Sequence, residues 1–420
     1  MTTHSVTEIP LRVKALLGVN FLTHFAVMGQ ITIIGKQVYD LTGRPLDLGL
    51  LGVAEFLPVA VLAPLAGPLA DRHDRRKILG IALVGEAIAS LLLFLYARSD
   101  PTSITPIFAI VLFFGVCRAF AMPAGRALPI DLSPPGVVPR VVALKSVCFQ
   151  AGHIAGPITF GFAFVVEGSL PYLLSALALV AAIAIVGLIP SSGVKRLAST
   201  GGRQVILESL EGLRFIRHRP VMLGAMGLDL FAVLFGGALA LLPAIAEDRL
   251  GVGAIGLGWL RAGVGIGAGA TAVCMSIRPV QRHLGRTLYA VVAMFGLGTI
   301  ALGLTRSFAL AFTIIVFVSA ADAVSMFIRA TLVPLATPEN MRGRVLAVES
   351  VFIGASNELG AAESGLTAAF MGLVGAVVFG GVATLAVIAL WWRYFPALRD
   401  LDTFDDVMPT RPHGLPPGDP

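Results

Sequence analysis

The chain has 420 residues, of which 56% are hydrophobic and 13% charged, with a mean hydropathy of +0.87. Soluble domains carry about a quarter of their residues as charged side chains, so this composition excludes a soluble fold and calls for a polytopic membrane protein. The net charge of +6 does not indicate nucleic acid, because the basic residues fall in short clusters between apolar runs, the distribution that the positive-inside rule produces.

Residues 1–10 are polar and have neither an apolar core nor a cleavage site, so no signal peptide is expected. Runs long enough to cross a hydrocarbon layer of about 30 Å then fall at residues 14–38, 47–69, 78–97, 104–127, 141–166 and 171–189. A polar stretch, 190–220, separates these six from six more at 221–246, 253–277, 287–305, 308–334, 345–371 and 373–395. The expected fold is an all-α membrane protein of twelve transmembrane helices. Its parts are a first six-helix bundle (1–189), a linker (190–220), a second bundle (221–395) and a disordered tail (396–420). In the linker, Val205, Leu207, Leu210, Leu213 and Ile216 are read as one face of an amphipathic helix on the inner membrane surface. The tail has several prolines together with Asp400, Asp402, Asp405 and Asp406, a composition poor in core-forming residues. Most Lys and Arg fall in loops on the side of the two termini, which are therefore expected to be cytoplasmic. Cys117, Cys148 and Cys274 lie in spans with no paired spacing, so neither a disulfide nor a metal site is expected.

The two bundles repeat. Arg126-Ala127, Arg140, Ala143, Ser146 and Gly156 return as Arg329-Ala330, Arg344, Ala347, Ser350 and Gly360, a shift of 203 to 204 residues. Asn20-Phe21-Leu22 likewise answers to Asp229-Leu230-Phe231. Two bundles of common origin and the same orientation place a ligand site between them at mid-membrane.

The loop after the second span reads GPLADRHDRRK, with Gly67, Asp71, Arg72, Arg75 and Arg76 at the spacing of the signature G-x-x-x-D-[RK]-x-G-[RK]-[RK] and Asp74 where that signature has glycine. On this loop and the repeat, residues 11–395 resemble the major facilitator superfamily. The stretches Asp229 to Pro243 and Thr337 to Gly365 look like its bacterial branch of transmembrane secretion effectors, which contains enterobactin and macrolide exporters. An acid at the Asp74 position is common in that branch. The resemblance implies secondary active efflux of a bulky small molecule, a siderophore or a drug, usually against inward proton flow. It implies a monomer in the bacterial inner membrane.

A lysophospholipid flippase of the same fold and a non-transporting receptor or scaffold are the alternatives. No nucleotide-binding loop G-x-x-x-x-G-K-[ST] occurs, so an ion gradient is the expected energy source. No nucleophile, base and orienter constellation suggests an enzyme, and no cofactor is expected.

Charged groups inside spans are costly and tend to be kept for function. Asp229 and Asp322 fall on helices that line the cavity in the resembled fold, and either can carry a proton if its hydration alternates; a structural ion pair is the plainer reading. Glu358, beside Asn357, is a third candidate for proton coupling. Arg118 is one residue from Asp322 in repeat register, so the two can pair. In the resembled family the acid at Asp71 latches the inner gate, with Arg126 as its partner, and Arg329 would be the weaker equivalent opposite Gln281. Asn20, His24 and Gln30 make a polar stripe on the first span. Phe21 and Phe25, with Phe231 and Phe235, form two aromatic pairs that suit a substrate cavity or, equally, core packing. The glycine-rich run in 251–272 suits close contact with the fifth span across the halves.

Overall fold

The computed structural model describes residues 8–189 and 202–407, without the side chains of Pro64, Asp71, Pro135 and residues 202–209. Eleven described helices are long and apolar enough to cross a membrane, and the last is two helices joined at a bend, which makes twelve crossings. The first half comprises α1 (Leu11–Thr42), α2 (Pro45–Arg72), α3 (Arg75–Ala97), α4 (Thr105–Asp131), α5 (Val138–Val166) and α6 (Leu170–Leu188). The linker helix α7 (Gly202–Arg217) leads to α8 (Pro220–Phe235), whose span continues through a 3-10 turn and a π turn to Arg249. Then come α9 (Gly253–Ile277), α10 (Leu284–Leu304), α11 (Phe308–Leu335), α12 (339–371) and α13 (373–394). The bend is at Gly372, whose φ of +75° is open to glycine and strained for other residues.

Polar residues start several helices. Asp74 accepts a hydrogen bond from the backbone N–H of Arg76 at 3.0 Å and caps α3, so the acid in place of the signature glycine satisfies one of that helix's free N–H groups. Ser307 caps α11 in the same way. Each half has its own core. Leu16, Leu83, Leu128 and Leu179 meet in the first; Leu228, Leu288, Ile328 and Leu332 meet in the second.

The halves meet along two seams, α5 against α9 and α2 against α12. Small residues let the backbones touch: a Cβ on Gly161 would lie 2.6 Å from the Ala254 carbonyl oxygen, and one on Gly49 would lie 2.8 Å from that of Ala361. The glycines of α9 thus meet the fifth span as expected.

The linker helix α7 buries Gly212 and Ile216, four residues apart, with Gly212 packed on the Arg344 backbone of α12. Leu210 and Leu213 are exposed on the protein surface; Val205 and Leu207 fall outside the described side chains. One expectation is corrected. The first part of the supposed disordered tail is packed. Residues 396–399 form a short helix, Leu398 and Leu401 join the core of the second half, and Leu284 and Gly285 at the start of α10 donate to the carbonyls of Asp402 and Leu401. Two leucines among the aspartates are enough apolar surface to seat this strap in a site the bundle leaves open. Residues 190–201 and 408–420 lie outside the described residues.

Candidate functional site

The most enclosed charges of the second half join α8 to α11. Arg329 Nη2 donates to Asp229 Oδ1 at 2.6 Å, with the two side chains only 6% and 9% exposed. Asp322 and Ser325 precede Arg329 on α11 by seven and four residues, one face of the helix. With Asp229, Val291 and Phe295 they line a narrow crevice. Among the described residues the Ser325 hydroxyl and the Arg329 Nε have no hydrogen-bond partner, and Glu349 is close enough to act on Asp229. One guanidinium thus lies among three carboxylates, those of Asp229, Asp322 and Glu349, so acids outnumber cations in this group.

Arg118 is bound otherwise than repeat register suggested: its Nη1 donates to Glu55 Oε1 at 2.9 Å, within the first half. The numerical equivalence of residues 118 and 321 relates positions in two bundles, whereas pairing needs adjacent helices, and α4 packs on α2. Arg329, expected near Gln281 as a gate residue, is instead drawn into the bundle by Asp229.

Glu358 faces the seam. A Cβ on Gly52 of α2 would lie 3.0 Å from its Oε2, and Glu55 and Arg118 are within electrostatic reach. On the first-half wall, His24 Nδ1 donates to the Asn20 carbonyl at 2.7 Å and His153 Nδ1 to that of Phe149 at 3.2 Å, which leaves both Nε2 atoms as acceptors. Phe149 lies between the two rings, with centroids 4.6 Å and 4.1 Å away. The Asn20 side-chain oxygen is buried without a partner among the described residues.

The aromatic pairs divide. Phe21 stacks on Phe25, which packs edge-on against Phe160. Phe231 packs on Trp391 and Phe235 on Phe379, both toward α13 within the second half. Of the two readings left open for the latter two, these contacts favour core packing.

At the end opposite the linker the halves are joined by polar contacts absent from the sequence reading. Lys36 of α1 bonds to Asp40 at 2.5 Å and reaches Glu247 at 3.1 Å; Tyr39 donates to Asp248. Cross-half packing continues to mid-span, where Gln150 Nε2 donates to the Gly265 carbonyl at 3.1 Å. The signal was present in the charges at residues 36, 40, 247 and 248 and the tyrosine at 39, which hydropathy assigns simply to a surface.

At the linker end, Arg75 donates to Asp131 at 2.9 Å and Arg76 holds the Val186 carbonyl at 3.0 Å, so these basic residues fasten α3 to α4 and α6. Arg72 is also engaged, Gly67 packs nothing at its Cα, and Arg126 is exposed. The expected Asp71–Arg126 latch rests on a side chain outside those described.

Twelve crossings in two bundles, with intramembrane charges at and beside their seams, are the frame of a known transporter fold. A model of the family described as transmembrane secretion effector matches residues 16–414. The chain belongs to that family of major facilitator transporters. Among relatives of this secretion-effector chain is the uncharacterized MFS-type transporter YfiS of Bacillus subtilis, 25% identical over 285 residues, which are 65% of this chain and 64% of YfiS. The quinolone resistance protein NorA of Staphylococcus aureus is 27% identical over 152 residues, 36% of this chain and 38% of NorA. Neither match reaches two thirds of the relative's length. A bacterial homolog of the human lysosomal transporter Spinster, inward-facing and unoccupied, superposes with a TM-score of 0.69 at 16% identity, covering 96% of this chain and 99% of that one. A D-xylose-proton symporter gives a TM-score of 0.64 at 17% identity, covering 92% and 97%. These two likenesses concern the fold.

Proposed function

We propose that this transporter is a secondary active exporter of a bulky small molecule, a drug or siderophore, driven by inward proton flow in a bacterial cytoplasmic membrane. The observation that carries the proposal is the single guanidinium of Arg329 shared between Asp229, at 2.6 Å, and neighbouring Asp322. One proton bound by either acid removes one negative charge from the group, and releasing it restores a charge that the bilayer interior disfavours. Coupling follows if substrate and proton favour opposite states of the halves. With both termini cytoplasmic, the contacts of Lys36 and Tyr39 close the outer end, and the chain is inward-facing and works as a monomer. The resistance protein among its relatives supports a drug as cargo.

The test uses inside-out proteoliposomes with an acidic lumen, which drives protons outward, and a panel of siderophores, macrolides and dye cations. Accumulation that a protonophore collapses, and that Asp229→Asn or Asp322→Asn abolishes while binding persists, is expected. Uphill accumulation that survives in both variants overturns the coupling role.

A further inference from the structure

Two ionisable side chains of the second half lie on the seam faces with no ion-pair partner among the described residues. On α9, residues 254, 258 and 265 are the contacts with α5, a spacing that repeats on one helix face. Arg261 falls on that face, seven residues after Ala254. No hydrogen bond or ion pair is found for its guanidinium among the described residues, and its Nε is buried and unpartnered. On α12, residues 354, 361 and 365 meet α2 in the same way, and Glu358 falls on their face. Its carboxylate likewise has no ion pair within the described residues.

The nearest opposite charges are already engaged. Glu55, the acid within reach of Arg261, accepts from Arg118 at 2.9 Å. Arg118, the cation within reach of Glu358, is the other member of that pair. The first half thus presents a closed ion pair, and the second half presents one open cation and one open anion. The facing wall adds two histidine Nε2 acceptors and the Phe149 ring.

We infer that the exported molecule is a zwitterion, with its ammonium group on Glu358 and its acid group on Arg261. This rests on the export reading above and names the class of cargo. A ligand with both charges satisfies both side chains, whereas a singly charged one leaves the other charge unpaired in a desolvated seam. Selection by an unpaired polar group is far steeper than selection by apolar size.

The experiment measures equilibrium binding to the purified full chain in nanodiscs with four forms of one fluorophore. Nε-dansyl-lysine is the zwitterion, its α-amide the cation, its Nα-acetyl form the anion, and the doubly blocked form is neutral. The zwitterion is expected to bind at least about tenfold more tightly than either singly charged form. Glu358→Gln should lower zwitterion affinity to that of the anion and leave the anion unchanged. Arg261→Gln should act conversely, and Arg261→Lys should retain the preference. Thermal unfolding of each variant separates misfolding from lost recognition.

Absence of a zwitterion preference, whether all four forms bind alike or none binds, overturns the inference. So does a loss of transport in either variant with selectivity unchanged, which would make the two residues latches between halves. Zwitterion preference without gradient-driven accumulation would sink the export reading alone, and protonophore-sensitive export restricted to singly charged molecules would sink this inference alone.

Discussion

Lys36 of α1 lies 3.1 Å from Glu247 at the end of the α8 span, and one turn along α1 Tyr39 bonds to the adjacent Asp248. Four residues in two neighbouring pairs tie the halves at the end away from the linker. Hydrogen bonds to charged groups contribute about 1.5–3 kcal/mol when enclosed, and the half-exposed Glu247 brings the sum toward the low end. Combined Tyr39→Phe and Glu247→Gln should therefore lower the far-end-closed population by roughly tenfold. Spin labels at Thr102 and Arg306 on opposite halves, in a chain with its three cysteines replaced, would report a longer distance. An unchanged distribution would mean that the apolar seams alone hold this end shut.

The Asp229–Arg329 pair predicts an asymmetric response to substitution. Arg329→Met strands Asp229 beside Asp322 in a buried setting, and breaking such a pair costs about 3–5 kcal/mol. Adding Asp229→Asn removes one stranded charge and should recover most of the loss. Thermal unfolding in detergent of the two single variants and the double variant measures the coupling. Additive losses would show that the two side chains do not stabilise one another.

The strap after α13 should be worth the burial of Leu398 and Leu401, on the order of 1.5–3 kcal/mol for each. Ending the chain at Phe395 should destabilise the second half, and ending it at Val407 should not. Proteolysis of the two forms at neutral pH distinguishes these outcomes.

The strap also has a defined acid limit. The backbone N–H of Thr403, at 2.8 Å, with that of Asp402 at 3.2 Å, holds the Asp406 carboxyl below its usual range, and a hydrogen bond from Arg399 does the same for Asp400. A carboxylate depressed in the folded state stabilises it above the unfolded pKa of about 3.9, and that contribution is lost as pH falls through the lower folded value. Hydrogen exchange over 396–407, corrected for intrinsic rates, should stay constant from pH 7 to about 4 and rise below it. Asp406→Asn should weaken the rise.

What the sequence by itself determined is the membrane class, the twelve crossings, the repeat and the two intramembrane acids Asp229 and Asp322. Each follows from local sums: hydropathy over about twenty residues, or a charge where an apolar run makes it costly. Even the bend at Gly372 lies between two runs that were separable by composition.

Tertiary structure decided the partners. That Arg118 belongs to Glu55, Arg329 to Asp229, and neither Arg261 nor Glu358 to any ion pair among the described residues depends on the rotation of helices 63 or more residues apart, which no local pattern encodes. The same holds for Phe231 and Phe235, whose four-residue spacing fixes a shared face but leaves open whether it looks at a cavity or at Trp391. The strap shows the limit most plainly. Its composition reads as disorder, and only a vacancy in the packed bundle beside α10 makes two leucines enough to order it.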